Sequence, residues 1–170
     1  MSSSNKASNH VSTQASTPTT ASADAMSDPK ERLSAIPWCR ALLQSSEWAP
    51  ANNPNRVPKP STEDSFFAET LSTPRTIRAC VTLRNAQESQ RGIEGVFYDE
   101  IRELFELGDG LNGHPRIAHG GFVTTMIDEV MGILITVNIQ ARIDKGIKPH
   151  EGNNCFTACT SLVLLCSATR

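Results

Sequence analysis

One hydrophobic segment, 120–139, limits the possible folds most strongly, because it opens with two glycines and carries two adjacent acids, Asp128 and Glu129. Among the 18 residues at 122–139, 11 have large apolar side chains. A transmembrane span is disfavoured because the acids sit near the middle and the uninterrupted apolar part, 130–137, is too short to cross a bilayer. The segment instead predicts a central helix buried on most sides, with a C-terminal end that β-branched residues leave uncertain.

The two acids need a chemical explanation, because an unpaired ionised carboxylate inside an apolar helix is energetically expensive. Proteins tolerate that cost mainly at functional sites. On a helix, Asp128 shares a face with Thr124 and Met131, whereas Glu129 lies about 100° round. Burial would raise the pKa of either carboxyl and suit it to act as a general base near neutrality. The alternative, that a carboxyl reaches solvent at the helix edge, stays open for Asp128 and is favoured more strongly for Glu129.

The glycine pair, Gly120 and Gly121, predicts a helix start with uncovered N–H groups, where the helix dipole favours negative charge. Such an end can bind the oxyanion that forms when a carbonyl is attacked. Gly120 and Asp128 lie roughly 12 Å apart along one helix, so a single carbonyl cannot touch both in one subunit. Two antiparallel helices about a two-fold axis would bring them together. The pattern therefore predicts a homodimer, or a higher homo-oligomer, with its sites at the shared interface.

Residues 1–28 predict a disordered tail. Half of the first 22 residues are Ser or Thr, so the segment cannot bury enough apolar surface to offset its ordering entropy. A mitochondrial presequence is the competing interpretation, but the first arginine is Arg32 and the tail contains Asp24 and Asp28. No apolar stretch typical of a secretory signal follows the start. An intracellular protein is expected, in the cytoplasm rather than in mitochondria.

Charge and cysteine usage exclude several classes of partner and cofactor. The net charge is −2 and basic residues are scattered, so neither nucleic acid nor an anionic membrane surface is an expected partner. The five cysteines are odd in number and lack framework spacing, which favours reduced thiols. Cys155, Cys159 and His150 could begin a zinc site, but their spacing is atypical and no second pair exists. No metal or other cofactor is expected.

Residues 29–72 predict short helices and a linker at 50–60, which holds four prolines in 11 positions. Short helical pieces are predicted on either side of this linker, at 27–48 and at 61–72. Two helix caps and one helix break are predicted there: a cap at Ser27, a break at Pro37, and a second cap at Ser61 or Thr62.

Residues 73–170 predict the main α+β domain. At 77–83, four apolar residues alternate with more polar ones, a period of two that predicts a half-buried strand. The stretch 93–110 fits either a helix or a strand, and a strand is favoured because the stretch ends in a Gly-Asp-Gly turn soon after another strand. Residues 140–154 predict a loop, and 155–170 predict either one further strand or a strand followed by a frayed end.

The sequence "NGHPRIAHGGFVTTMIDEVMG" at 112–132 resembles the signature of hotdog-fold acyl-CoA thioesterases, in the PaaI-like group of the thioesterase superfamily. The resemblance covers 94–139 well and 75–158 loosely. It implies a curved antiparallel sheet wrapped around a long central helix, with a dimer as the minimal unit. It also implies a sheet that is incomplete at the C-terminus, because the family has three more strands after the helix and only 31 residues follow position 139.

The resemblance implies hydrolysis of acyl-CoA or another acyl thioester, and it assigns the site residues. The family's His-Gly-Gly falls on His119, Gly120 and Gly121, and its helical acid falls on Asp128. The Gly120 N–H, aided by that of Gly121, would polarise the acyl carbonyl, while Asp128 of the partner subunit would activate water or attack directly. Asn112 would orient the substrate or water. His119 would contact the thioester or hold the loop, with simple packing at the helix start as the alternative.

Two other functions stay open at this point. A catalytically silent hotdog module could bind an acyl-CoA or act as a scaffold. A metal-dependent hydrolase could use His114, His119 and Asp128, but the five-residue spacing of the histidines places them on a loop rather than on one helix face, which disfavours a metal. His114 itself, beside a proline, is expected to be a loop residue.

Overall fold

The N-terminal region forms two short helices that proline residues separate. In the computed structural model, which describes residues 28–90 and 96–147, helix α1 spans Pro29–Ser34 and helix α2 spans Pro37–Gln44. Pro37 is the first residue of α2, so the predicted break is confirmed. The α1 cap is Asp28 rather than Ser27, because the Asp28 side chain accepts the Lys30 N–H at 3.0 Å. The tail before it lies outside the described residues, as do the strand predicted at 155–170 and His150, Cys155 and Cys159, at which a zinc site was considered and disfavoured.

A three-stranded antiparallel sheet lies at the centre of the described chain and confirms the α+β class. Strand β1 (Trp48–Pro50) pairs with β2 (Ile77–Asn85), which pairs with β3 (Ile101–Leu107). The strand predicted at 77–83 is therefore confirmed, and so is the choice of strand within 93–110. A separate two-stranded hairpin, β4 (Asn112–His114) and β5 (Ile117–Ala118), leads into the long helix.

The linker between β1 and β2 is more structured than the proline content predicts. It contains a 3₁₀ turn at Pro54–Arg56 and a π-helical turn at Phe66–Thr70. The predicted cap at Ser61 or Thr62 is wrong, because the turn starts only at Phe66 and Thr62 adopts a left-handed conformation with φ of 64°. A residue in that conformation cannot serve as an extended N-cap.

The sheet is covered on both faces, which blurs the predicted alternation of buried and exposed residues. One face packs on α1 and α2, and the other packs on the π-helical turn and the long helix. Thr82 is consequently buried, although its neighbour Val81 was expected to be the inward residue. A register shift between Ile77 and Ala79 also turns these two residues to opposite faces.

The long helix α3 spans Gly120–Asp144 and has 25 residues. The helix is confirmed, but the loop predicted from residue 140 is wrong, because tertiary packing carries the helix through its β-branched part. Burial on most sides is also wrong. One stripe alone is buried, made of Phe122, Met126, Val130, Ile133, Val137 and Ala141.

The opposite side of α3, termed the outer face, carries both apolar and polar side chains and is largely open in the single chain. Of its residues, Met131 and Ile139 are exposed. The outer face consists of Thr124, Asp128, Met131, Ile135 and Ile139, which helical geometry places on one side.

By length and composition alone α3 could cross a membrane, and core helices of soluble proteins meet the same criterion.

Candidate active site

His119 follows the β-hairpin and caps α3, and this cap determines which of the two glycine N–H groups is free to bind a substrate. It has extended φ and ψ of −64° and 134°, and its Nδ1 accepts the Gly121 N–H at 3.0 Å. Its own backbone N–H donates to the Leu111 carbonyl at 2.8 Å. Nδ1 can accept only if it carries no proton, so this contact requires the proton on Nε2 in the neutral ring. His119 is therefore a capping residue, and the Gly121 N–H is not free for a substrate.

Gly120 carries the available donor at this helix end. As the first residue of α3, its N–H has no partner within the helix. Within the part of the chain that the structure describes, the Gly120 N–H donates to no acceptor. Gly120 is exposed to solvent, and beyond its own neighbours no heavy atom lies within 4 Å of the place that a Cβ would occupy, so there is open space beside this residue.

Asp128 and Glu129 have the reverse of the expected exposure. Asp128 is exposed, whereas Glu129 is half-buried. At 100° per residue, Asp128 lies opposite the buried stripe and Glu129 lies on its flank. The expectation failed because the sequence shows how far apart the two acids are on the helix but not which side faces the sheet. Asp128 thus belongs to the outer face, together with Met131 and Ile139.

Glu129 has a defined environment within the fold. Its Oε2 accepts the Asn55 Nδ2 at 3.3 Å. The pKa of Glu129 is raised above its ordinary value, first because burial disfavours the charged form and also because Asp64 and Asp128 are negative, while the hydrogen bond from Asn55 opposes the shift.

The hairpin brings Asn112 close to the start of α3 but leaves His114 apart. Asn112 pairs with Ala118, the residue before His119, and both Asn112 and His114 are exposed. His114 lies opposite Ile117 beside the turn of the hairpin. His114, His119 and Asp128 do not form a group that could hold a metal ion, and no other such group of His, Cys, Asp or Glu occurs in the described residues.

A buried polar cluster around Glu103 escaped the sequence analysis. Its Oε1 accepts from Asn53 Nδ2 at 2.6 Å, from Cys80 Sγ at 2.9 Å and from Thr82 Oγ1 at 2.9 Å. Its Oε2 is inaccessible to solvent and has no hydrogen-bond partner within the described residues. A single acid in a strand normally indicates the solvent face, so only the burial of both sheet faces reveals this cluster.

Burial raises the pKa of Glu103 above its ordinary value of 4.5, while the hydrogen bonds from its donors and the positive charge of Arg56 oppose that shift.

The raised pKa of Glu103 makes stability depend on pH. A carboxyl with a raised folded-state pKa contributes its full stability below the unfolded pKa, and that stability is lost as pH rises through the folded pKa. Glu103→Gln removes this titration. We expect the variant to gain stability relative to wild type as pH rises from 4 to 8, as measured by urea unfolding at each pH. The same change in unfolding free energy with pH in both proteins would contradict this expectation.

Loss of the His119 cap should weaken the helix start. His119→Ala leaves the Gly121 N–H without its acceptor, and we expect a loss of about 1 kcal/mol in unfolding free energy. His119→Asn, which supplies another capping acceptor, should recover most of that loss. Chemical denaturation of the three proteins measures the difference, and an alanine variant as stable as wild type would show that the cap is not needed.

The comparisons with known proteins give one relative. The chain is 36% identical over 90 residues to verlamelin biosynthesis protein B of Lecanicillium sp, and this match covers 51% of the chain. The match spans 37% of the length of that relative. No protein-family model matches the chain, and no solved structure is significantly similar to it. Over about half of its length, the chain is thus homologous to a biosynthesis protein.

Proposed function

We propose that the protein is an acyl-CoA or acyl thioester hydrolase of the hotdog type, and that it acts as a homodimer in a biosynthetic pathway. One observation carries the proposal. The free Gly120 N–H and the Asp128 carboxylate both lie on open surface of α3 rather than inside the fold. The resemblance at 112–132 assigns the same two groups to thioester chemistry, and the verlamelin biosynthesis relative is consistent with a biosynthetic setting.

The proposed dimer places the outer faces of two α3 helices side by side in opposite directions. In the register that sets Gly120 opposite Asp128 of the second copy, Met131 lies beyond the first residue of the partner helix, on the side of the β-hairpin that carries Ile117, which is 61% exposed in the single chain. Pairing would remove apolar surface from water at about 25 cal/mol per Å².

In the proposed reaction, the thioester carbonyl oxygen accepts the Gly120 N–H of one subunit. Asp128 of the other subunit takes a proton from water as the water oxygen attacks the carbonyl carbon. The oxyanion so formed is stabilised by the amide and by the positive end of the helix dipole. The C–S bond then breaks, and the leaving thiolate takes the proton from Asp128. Direct attack by the carboxylate, with an anhydride hydrolysed afterwards, uses the same geometry.

Gly120→Pro tests the amide by itself. Proline is tolerated at the first helical position but has no N–H, and His119 already has the extended conformation that a residue before proline prefers. We expect a loss of about 10²-fold in kcat, with the helix retained. Gly120→Ala keeps the N–H and has room for its Cβ, so it is the matched control and should stay near wild type. Thiol release from acyl-CoA measures both variants, and equal rates would exclude the amide as a donor.

A catalytically silent acyl-binding or scaffold protein is the second candidate. The occupied Gly121 N–H favours it, because one of the two amides that the resemblance assigns to the acyl carbonyl already has an acceptor. The assay separates the candidates directly. Saturable acyl-CoA binding without thiol release would support the silent module and overturn the hydrolase, whereas thiol release that depends on Asp128 would do the opposite.

A further inference from the structure

Among the described residues, Glu129 and Asn138 join α3 to the rest of the fold through side-chain hydrogen bonds, one residue in each half of the helix. In the first half, Asn55 donates to Glu129 at 3.3 Å. In the second half, Asn138 Oδ1 accepts the backbone N–H groups of Phe97 and Tyr98 at 2.7 and 2.9 Å. Helical geometry places Glu129 and Asn138 on opposite flanks of the buried stripe. They therefore resist rotation of the helix about its axis in both directions.

Asn55 lies in the 3₁₀ turn, which hydrogen bonds join to the sheet. Asn53 caps the 3₁₀ turn through its Oδ1, which accepts the Asn55 N–H at 3.2 Å. The same Asn53 donates through Nδ2 to the buried Glu103 at 2.6 Å. A continuous path of hydrogen bonds thus runs from the sheet at Glu103, through Asn53 and Asn55, to Glu129 on α3.

Arg56 holds the other end of that turn. Its guanidinium donates to the Phe67 carbonyl at 2.7 Å and to Ser72 Oγ at 3.0 Å, and it lies 5.0 Å from the centre of the Phe67 ring. Because hydrogen bonds hold both ends of the turn, a rotation of the helix would stretch the contact between Asn55 and Glu129. This contact therefore restrains the rotation of α3 near the site, in addition to the packing of the buried stripe.

We propose that Glu129 is a positioning residue, whose hydrogen bond to Asn55 sets the direction in which the neighbouring Asp128 leaves the helix. The inference rests on the proposed function. Side-chain atoms lie about 5–6 Å from a helix axis, so a rotation of about 10° displaces Asp128 by about 1 Å. A displacement of that size at a reacting group can reduce a rate by up to about 10²-fold.

Steady-state thiol release by the full chain tests this role with matched variants. Glu129→Ala and Asn55→Ala each remove the hydrogen bond, and we expect each to lower kcat about tenfold with KM within about twofold of wild type. Glu129→Gln keeps an oxygen that can accept from Asn55 and should stay within about threefold. The double variant should be no worse than the worse single one, because both remove the same contact. Gln140→Ala removes an exposed hydrogen bond to Asp144 on the same helix and should have no effect.

The outcomes separate a positioning role from general stability and from the proposed function. A variant that loses only stability would show its loss in the melting temperature and recover kcat at lower temperature, which would overturn the positioning role. So would an unchanged Glu129→Ala rate, or a Glu129→Gln rate as low as that of the alanine variant. A wild-type chain that releases no thiol would instead overturn the proposed function itself. The asparagine contact is confirmed if kcat falls in both alanine variants and is rescued by glutamine.

Discussion

Replacement of Asp128 by alanine should lower kcat for thioester hydrolysis by about 10³-fold while leaving the protein folded. The magnitude is that of a general base or nucleophile removed from its site. The unfolding free energy of the subunit should change by no more than about 0.5 kcal/mol, because Asp128 lies on the surface of the subunit fold and is not part of its core. Few substitutions in this chain are expected to affect activity and stability so unequally.

Thiol release under saturating acyl-CoA, together with urea unfolding, measures both effects. Asp128→Asn keeps the size of the side chain and should be nearly as inactive, because an amide does not accept a proton from water at neutral pH. Asp144→Asn is the control, since Asp144 is a second exposed acid on α3. An Asp128→Ala variant with a tenth or more of the wild-type rate would remove this residue from the reaction.

Phe67→Ala should destabilise the fold by about 3–5 kcal/mol, the range for deleting a buried aromatic side chain. Phe67 is 1% exposed and meets the Phe105 ring edge-on, with centroids 6.4 Å apart. The Arg56 guanidinium lies over the Phe67 ring, and the ring packs in the hydrophobic cluster that includes Phe122 of α3. Removing the ring therefore opens a cavity between the sheet and the helix that bears the site.

Phe66→Ala provides the comparison, because the adjacent ring is 52% exposed. We expect that variant to lie within about 0.5 kcal/mol of wild type. Denaturant unfolding of both variants gives the two free energies. Similar losses would mean that the π-helical turn does not direct one ring inward and the other outward as described.

The sequence predicts the elements of this fold better than their orientation. The strand at 77–83 follows from its period of two, and the helix from residue 120 follows from its glycine pair and its density of apolar residues. Two features depend on what packs where and could not be predicted. The bulge that turns Ile77 away from Ala79 has no local signal, and the helix continues to Asp144 because its later turns pack on the fold.

For the candidate site too, the sequence predicts the element that carries the residues better than their orientation and contacts. The motif at 112–132 indicates Gly120 and Asp128 correctly as residues of one helix, but it does not show that His119 occupies the Gly121 N–H. It also gives the wrong order of exposure for the two acids. Glu103 was missed because burial of an acid on a strand requires a second layer, here the turn around Asn53, that only the tertiary structure reveals.

Mixed dimers test the central claim most directly. Gly120→Pro and Asp128→Ala chains should each be inactive alone, because every site then lacks one of its two groups. If each site takes Gly120 from one subunit and Asp128 from the other, dimers that contain both kinds of chain have one intact site. Unfolding and refolding an equal mixture should then restore about a quarter of wild-type activity, since half of the dimers are mixed and half of their sites are intact. A mixture as inactive as its components would contradict a site shared between two subunits.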